Sequence, residues 1–275
     1  MISLIKRNLK MFFRSPSTLI LSILGAMISF ILYLVFLRQT ISSNWSNIAG
    51  KQQLLDLWLM GGTLAITALT TTLSALDQLV NDKEKKTIKD FYITGLKPFD
   101  LAASYFVSAG IIGFVMQVLM FLVMTIYFMI CDQITISVAA LVKINIMMLL
   151  AAFFSSAFNY VFVQLINYIS TLAKIEATLG TLTGFLIGVY LPIGLLPNFA
   201  QTIIKLYPGA YLASINRHIL IQSNLPANFK KQMGIGYNWH GLTTAGQDLA
   251  ICFGFFIACL ILIWLVPKIK KGSAV

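Results

Sequence analysis

The sequence has few charged residues and lacks the polar stretches from which a soluble domain is built. Of its 275 residues only 11% are charged, whereas 58% are hydrophobic. The mean hydropathy of +0.85 lies far above that of a soluble globular chain, whose surface must be polar. We therefore expect several membrane spans and little else.

The motifs of hydrolytic enzymes are also missing. The sequence contains no H-E-x-x-H, no G-x-S-x-G and no G-x-x-x-x-G-K-[ST]. Gly50-Lys51 is followed by Gln52 and lacks the upstream glycine, so no P-loop for ATP is predicted. Neither histidine has a carboxylate or cysteine at ligand spacing. We expect a chain that is not an enzyme and holds no metal or cofactor of its own.

Cysteine is scarce, and the three residues present form no disulfide framework. Cys252 and Cys259 fall on one apolar helix, about 10 Å apart at 1.5 Å per residue, which is too far for a disulfide. They are interpreted as small buried hydrophobic residues.

Basic residues exceed acidic ones, and the formal net charge is +11. The lysines and arginines cluster at the ends of apolar segments rather than on one soluble face. This pattern indicates orientation in a lipid bilayer, so nucleic acid is not expected as a partner.

Long apolar segments dominate what is present. A hydrocarbon core about 30 Å thick needs about 20 apolar residues in a helix. The chain is therefore predicted to be an all-α membrane protein with about six spans, at 17–37, 57–79, 102–130, 138–169, 177–192 and 247–267. An even number of spans places both termini on one side, and the distribution of Lys and Arg favours the cytoplasm.

Two flanking regions are predicted to lie at the membrane surfaces. Residues 1–15 carry apolar and basic faces at helical spacing and are predicted to form an interfacial helix. Ser15-Pro16 then supplies an N-cap and a first-turn proline for a new helix. Residues 193–246 are predicted to form short external helices that dip into the membrane and return, separated by proline and glycine.

The densest run of charge in the chain lies at 82–92, between two apolar segments. A short helix there would have Ile88, Phe91 and Tyr92 on one face and charges on the other, a shape suited to docking a soluble partner. The predicted docking residues within the cytoplasmic loop 82–98 are Glu84, Lys85, Thr87, Ile88, Phe91 and Tyr92.

A polar stripe runs along one face of the second span, since its members recur every three or four residues. The candidate lining of a translocation path is Thr63, Thr67, Thr70, Ser74 and Asp77. The alternative is that these hydroxyls bond to the preceding helical turn or to a neighbouring helix.

Glycine and proline mark the fifth span and the segment after it. Gly180, Gly184 and Gly188 form a small-x-x-x-small ladder, which permits close packing either within the chain or at a dimer interface. Pro192, Pro197 and Pro208 punctuate the external segment and are candidates for an outer gate.

The order of these pieces resembles the membrane subunit of an ABC-2 type exporter over nearly the whole chain. Three parts carry the resemblance: the surface helix, the loop with Glu84-Lys85-Lys86-Thr87-Ile88 and Thr94-Gly95-Leu96, and the series Gly188-Val189-Tyr190-Leu191-Pro192-Ile193, Leu195-Leu196-Pro197, Leu206-Tyr207-Pro208 and Arg217. The loop departs from the family pattern at Lys86, where glycine is usual, and at Gly95, where proline is usual.

The resemblance implies a permease that exports an amphipathic or lipophilic solute such as a drug, a peptide or a lipid-like molecule. Its implied partners are two copies of an ABC ATPase that carry the ATP and Mg²⁺, a second permease chain, identical or paralogous, and the lipid bilayer. It implies a multi-pass protein of a bacterial cell membrane. The alternatives are an exporter of lipid-linked glycans in the same superfamily and a channel or scaffold without an ATPase.

Overall fold

The computed structural model describes residues 1–38, 50–222, 225–238 and 241–272, with side chains to residue 265. The described residues form helices without a β-sheet, which confirms the all-α prediction. The helices are α1 (Ile2–Arg14), α2 (Pro16–Leu32, continued by a π-helical turn at Tyr33–Leu37), α3 (Lys51–Ala75), α4 (Asp77–Glu84), α5 (Thr87–Ile93), α6 (Pro98–Asp132), α7 (Val138–Val163), α8 (Ile169–Leu186), α9 (Asn198–Leu206), α10 (Pro208–Leu220), α11 (Ala227–Met233) and α12 (Ala245–Gly272).

Among the described residues, five helical segments are long and apolar enough to cross a membrane. They are Pro16–Leu37, Lys51–Glu84, Pro98–Asp132, Val138–Val163 and Ala245–Leu265. Each corresponds to one of the predicted spans, and the predicted break at Ser15 is present, because its side chain accepts a hydrogen bond from the Thr18 N–H and Pro16 follows as the first helical residue.

The predicted fifth span at 177–192 has different bounds and composition in the structure. α8 begins eight residues earlier, at Ile169, and ends at Leu186. Gly188 then takes a left-handed conformation with φ of 69°, which stops the helix before the predicted end. α8 includes Lys174 and Glu176 and is not among the described helices that are long and apolar enough to cross a membrane.

α8 nevertheless extends over the same depth as α3 and runs antiparallel to it. Glu176 bonds to Ser74 near the C-terminal end of α3, and the turn after α8 meets Arg217 beside Trp58, near the start of α3. We call the end of the bundle where α3 leads into α4 and α5 the α5 end. The opposite end, where α3 begins beside α11, is called the α11 end.

α3 is the central helix of the bundle. It packs against α2, α6, α7, α8 and α10, and 89% of the most apolar stretch in the segment Lys51–Glu84 is buried. Apolar side chains from all these helices form the main core around Trp58, Leu59 and Leu64. The other spans keep broad exposed apolar faces, on which lipid replaces protein.

The two short helices expected in the external segment are present as α9 and α10. Tyr207 and Pro208 separate them, and Gly209 lies against Leu69 in the middle of α3. α10 then runs back towards the α11 end, where Arg217 reaches Trp58. α10 is covered by protein along most of its length, as backbone outside a spanning helix must be at membrane depth.

Close contact between α3 and α10 depends on Gly61 and Gly62. A Cβ atom on Gly61 would lie 2.8 Å from Cγ and 2.9 Å from the backbone nitrogen of Arg217. A Cβ atom on Gly62 would lie 2.4 Å from Cγ2 of Val189. Any side chain here would push the two helices apart.

We expect Gly61→Ala to destabilise the protein by about 1–3 kcal/mol, the usual cost of overpacking against atoms that cannot move away. The measurement is thermal unfolding of the purified chain in detergent. Gly254→Ala in α12 is the matched control, because nothing lies within 4 Å of its Cβ position and alanine favours a helix by up to about 1 kcal/mol. Equal or greater stability of Gly61→Ala than of this control would contradict the close packing.

Candidate functional site

The segment 82–98 forms two short helices joined by a sharp turn. α4 ends at Glu84, α5 begins at Thr87, and Lys86 between them has φ of 60°. Residues other than glycine rarely take this left-handed conformation. Glycine takes this conformation without steric cost, so the backbone at Lys86 is one that glycine would suit better.

The face of α5 that is exposed differs from the predicted one. Ile88 and Phe91 pack against a smaller hydrophobic cluster at the α5 end, which includes Leu76, Leu101 and Tyr105. The guanidinium of Arg7 lies 5.2 Å from the centre of the Phe91 ring. Tyr92 is 46% exposed and Ile93 84% exposed. Only Tyr92 of the three predicted apolar docking residues therefore faces outwards, because the turn at Lys86 directs the other two into the bundle.

Asp82, at the end of α4, binds three other side chains although it is only 2% exposed. Arg7 donates to both carboxylate oxygens, at 2.6 and 2.9 Å. The hydroxyl of Tyr105 donates at 2.5 Å, and Gln78 donates at 2.9 Å. Asp82 thus joins α1, α4 and α6 at the α5 end.

Arg7 is suited to pairing with Asp82, because a guanidinium keeps its charge when it is partly buried. Burial by itself lowers the pKa of Arg7, but the hydrogen bonds and the charge of Asp82 more than offset this effect, and the net result is a raised pKa. The pair is bidentate, which is the strongest geometry for a guanidinium and a carboxylate.

The next two residues bind two further helices. Lys83 Nζ donates to the carbonyl oxygens of Val163, Gln164 and Ile166, which lie at and beyond the C-terminal end of α7. Glu84 Oε2 accepts the N–H of Ile169, the first residue of α8, at 2.9 Å. A cation at a helix C-terminus and an anion at an N-terminus both match the helix dipole.

Three consecutive residues, Asp82, Lys83 and Glu84, therefore connect the start of α5 to α1, α6, α7 and α8. Any displacement of α5 must act on these contacts. Of the other predicted docking residues, Lys85 is exposed and Thr87 is half-buried. Glu84 binds the N-terminus of α8, a role that the sequence did not indicate.

The polar stripe of α3 is mostly packed inside the chain. Thr63 and Thr67 are fully buried, and the Thr67 hydroxyl donates to the Thr63 carbonyl at 2.8 Å. Thr70 donates to the carbonyl of Ser22 in α2 and to that of Ile66. In this conformation Thr63 and Thr67 do not line an open path, because α10 and the turn after α8 cover this part of α3.

The part of the stripe nearest the α5 end contacts an acidic residue of α8. Ser74 Oγ donates to Glu176 Oε1 at 2.9 Å, and Asp77, one helical turn further along the chain, lies beside the Glu176 carboxyl. Ser74 and Asp77 are half-buried and lie nearest to the open side of α8.

α8 itself exposes a polar face. The exposed polar side chains on that face recur at helical spacing and are Thr171, Lys174, Thr178 and Thr181. Leu182 and Phe185 are exposed beside them in the last turn of α8. Polar groups at membrane depth must face protein or water rather than lipid. Nothing in the described part of the chain covers this face, so it is open to water or to another protein surface.

The glycine ladder of α8 is divided between three roles. A Cβ atom on Gly184 would lie 2.1 Å from the ring of Tyr190, so this glycine makes room for a side chain of its own polypeptide. Gly188 lies in the turn after the helix. Nothing lies within 4 Å of the Cβ position of Gly180, which leaves only this member of the ladder open to a second chain.

The three prolines predicted to form an outer gate all lie at breaks between elements. Pro192 precedes a 3-10 turn at Ile193–Leu195, Pro197 is the residue before α9, and Pro208 is the first residue of α10. Each stands where a missing N–H costs nothing. They fix the path of the chain, and a gating role for them remains a prediction.

Arg217 holds this external segment against the bundle. Its guanidinium is fully buried, lies 4.7 Å from the centre of the Trp58 ring, and has no carboxylate partner among the described residues. It donates instead to backbone carbonyls, those of Trp58, Ile187, Gly188, Met233 and Gly234. One side chain thereby joins α3, the turn after α8 and the end of α11.

Sequence reasoning missed Glu176, the Arg7–Asp82 pair and the exposed face of α8. Glu176 did carry a signal, since it is the only acidic residue between Asp132 and Asp248. Within the part of the chain that the structure describes, no group of three or more potential metal ligands comes together.

The chain was compared with known families and with curated proteins. A family model described as ABC-2 type transporter matches residues 1–221, which include α1 to α10. No curated protein matched the sequence.

We expect Arg7→Met to destabilise the protein by about 1–3 kcal/mol, because it leaves the buried Asp82 carboxylate without its counter-ion. Adding Asp82→Asn to this variant should cost less than the sum of the two single changes. Thermal unfolding of the four proteins measures the coupling. Arg14→Met is the control, since Arg14 is exposed at the end of the same helix. Additive effects would contradict a specific Arg7–Asp82 link.

Proposed function

Because this chain belongs to the ABC-2 type transporter family, and is thus the multi-pass membrane partner of an ABC ATPase subunit, we propose that it is an export permease. It moves an amphipathic or lipophilic solute out of the cytoplasm with energy from ATP bound elsewhere. The observation that carries the proposal is the junction Asp82–Lys83–Glu84, which links one exposed short helix to four others.

α5 is the element that docks the ATPase. Its outward surface combines the apolar side chains of Tyr92 and Ile93 with Lys89 and Asp90, and Phe99 beside it is 72% exposed. Apolar anchors with surrounding charges are typical of the centre and rim of protein interfaces. The lysines at 83, 85, 86, 89 and 97 support a cytoplasmic position for this end, in keeping with the positive-inside rule.

The junction transmits motion from α5 to the bundle. When ATP closes the two ATPase subunits, displacement of α5 pulls on α1 and α6 through Asp82, on α7 through Lys83 and on α8 through Glu84. Hydrogen-bonded charge pairs suit this task because they hold a fixed geometry while whole helices move. This chain contributes no catalytic group, and ATP and Mg²⁺ bind to the partner.

Two permease chains pair with the polar faces of α8 towards each other. Thr171, Lys174, Thr178 and Thr181 then line a water-filled path between the chains, and Gly180 allows close approach. This arrangement provides the cover that the polar face lacks in one chain. Ser74, Asp77 and Glu176 lie at the cytoplasmic entrance of the path, and the Arg217 cluster closes its outer end.

We expect Ile93→Asp to abolish retention of the ABC ATPase while leaving the stability of the permease nearly unchanged, because Ile93 is 84% exposed. The measurement is co-purification of the co-expressed ATPase, together with ATP hydrolysis by the complex. Val138→Asp is the matched control: Val138 is 76% exposed at the other end of the bundle, and an acidic residue is tolerated in the first turn of α7.

Phe91→Ala is a second comparison for Ile93→Asp. It removes packing beneath Arg7 and should lower the stability of the permease itself, whereas Ile93→Asp should not. Full retention of the ATPase by Ile93→Asp, or equal loss with Val138→Asp, would contradict docking through α5.

We expect cysteines at Thr178 and Thr181 to react with a charged, membrane-impermeant thiol reagent, because a thiol ionises in water and not in lipid. Cysteines at Leu119 and Leu122, which are each 48% exposed on α6, should stay unreactive because they face lipid. The background protein carries Cys131→Ser, since that cysteine is exposed. Equal labelling of all four positions, or labelling of the α6 pair alone, would contradict a water-filled path along α8.

A further inference from the structure

A polar cavity of about 260 Å³ lies at the α11 end, on the side of the bundle away from α5. α9 forms one wall, and α11 with the residues that follow it forms the other. The polar side chains in its lining are those of Asn198, Gln201, Thr202, Lys205, Lys231 and Asn238. Lys205 Nζ donates to the carbonyl of Asn238 at 2.7 Å, which fixes the ammonium group on the wall.

The charge around this cavity is of one sign. Residues 193–246 contain no Asp or Glu, whereas Lys205, Arg217, Lys230 and Lys231 are all basic. A concave surface lined by cations in a segment without acids attracts anions.

The acidic residues at the same end are bound elsewhere. Asp56 accepts from Tyr33 and Arg38, Asp132 pairs with Arg38, and Asp248 accepts from Ser214. None of the three lines the cavity, so they do not neutralise its lysines.

The cavity adjoins an apolar surface on the opposite face of α9. Phe199, Ile203 and Leu206 recur at helical spacing and are 70%, 52% and 65% exposed. α9 is therefore strongly amphipathic, with its polar face on the cavity and its apolar face outwards. Such a helix is suited to the boundary between headgroups and acyl chains.

We propose that this cavity binds the phosphate-bearing headgroup of an anionic phospholipid, whose acyl chains lie along the apolar face of α9. The lysines at 205 and 231 supply charge to the phosphate, and the amides at 198, 201 and 238 supply hydrogen bonds to the rest of the headgroup. The bound lipid steadies the α9–α10 hairpin against the bundle. This site is separate from the path along α8 and from the docking surface on α5.

The test uses the full chain, purified in a neutral detergent and stripped of lipid. It is mixed with equal amounts of phosphatidylglycerol and phosphatidylcholine of the same acyl chains, and the bound lipids are counted by native mass spectrometry. The wild type should retain phosphatidylglycerol over phosphatidylcholine. Lys205→Gln and Lys231→Gln should each weaken the retention of phosphatidylglycerol about tenfold, the effect of one lost charge-assisted contact.

Lys230→Gln is the matched control, because it removes the same charge one residue away and lies outside the cavity lining. Lys231 is exposed, so its substitution leaves folding intact. Equal retention of the two lipids, or equal losses in Lys230→Gln and Lys231→Gln, would overturn the proposal. Glycerol 3-phosphate is added as a soluble competitor. If it displaced phosphatidylglycerol at equal concentration, the site would belong to a soluble anion and the lipid assignment would be wrong.

Discussion

A guanidinium buried without a carboxylate is the constraint on which the packing of this bundle depends. Arg217 needs acceptors for its N–H groups, and a missing acceptor inside a protein costs free energy. Backbone carbonyls that are not used by helices supply them, at the turn after α8 and at the end of α11. The left-handed Gly188 and Gly234 present these carbonyls, and Gly61 and Gly62 let the side chain pass. Arg217 thus holds the turn after α8 and the end of α11 against α3, while prolines set the breaks between the elements of the external segment.

At the other end of the bundle, charge is arranged in the opposite manner. Asp82, Lys83 and Glu84 each have partners in other helices, and two of these partners are helix termini. The same three residues lie one turn of backbone away from α5. Contacts between helices therefore begin where the exposed surface of α5 ends, and the proposed coupling to a separate ATPase relies on this arrangement. The two ends differ accordingly: one is held by the single buried side chain of Arg217, and the other by three consecutive charged residues that bind four helices.

Local sequence patterns were sufficient to predict the five most apolar spans, the helix at 1–15, the break at Ser15 and the short helices α9 and α10, because hydropathy and proline act over a few residues. They misplaced the fifth predicted span, 177–192, which corresponds to the more polar helix Ile169–Leu186. They failed where distant residues meet. Arg7 and Asp82 are 75 residues apart, and Glu84 caps a helix that begins 85 residues later. The orientation of α5 depends on one left-handed residue, Lys86, which gives no periodic signal. The threonines of α3 fitted a lining pattern equally well, yet helices from elsewhere in the chain cover the first two.

The near-complete enclosure of the segment Lys51–Glu84 has a consequence for biogenesis. It has the lowest mean hydropathy of the five spans, 1.4 against 2.1 to 2.6, and the largest buried share. Several of its polar groups bond to residues that are synthesised later, and one of these, Arg217, follows more than a hundred residues on. A nascent chain that has reached only this segment has no such neighbours, and lipid is a poor substitute for them. The packing of this segment is therefore completed only after α10 has been synthesised.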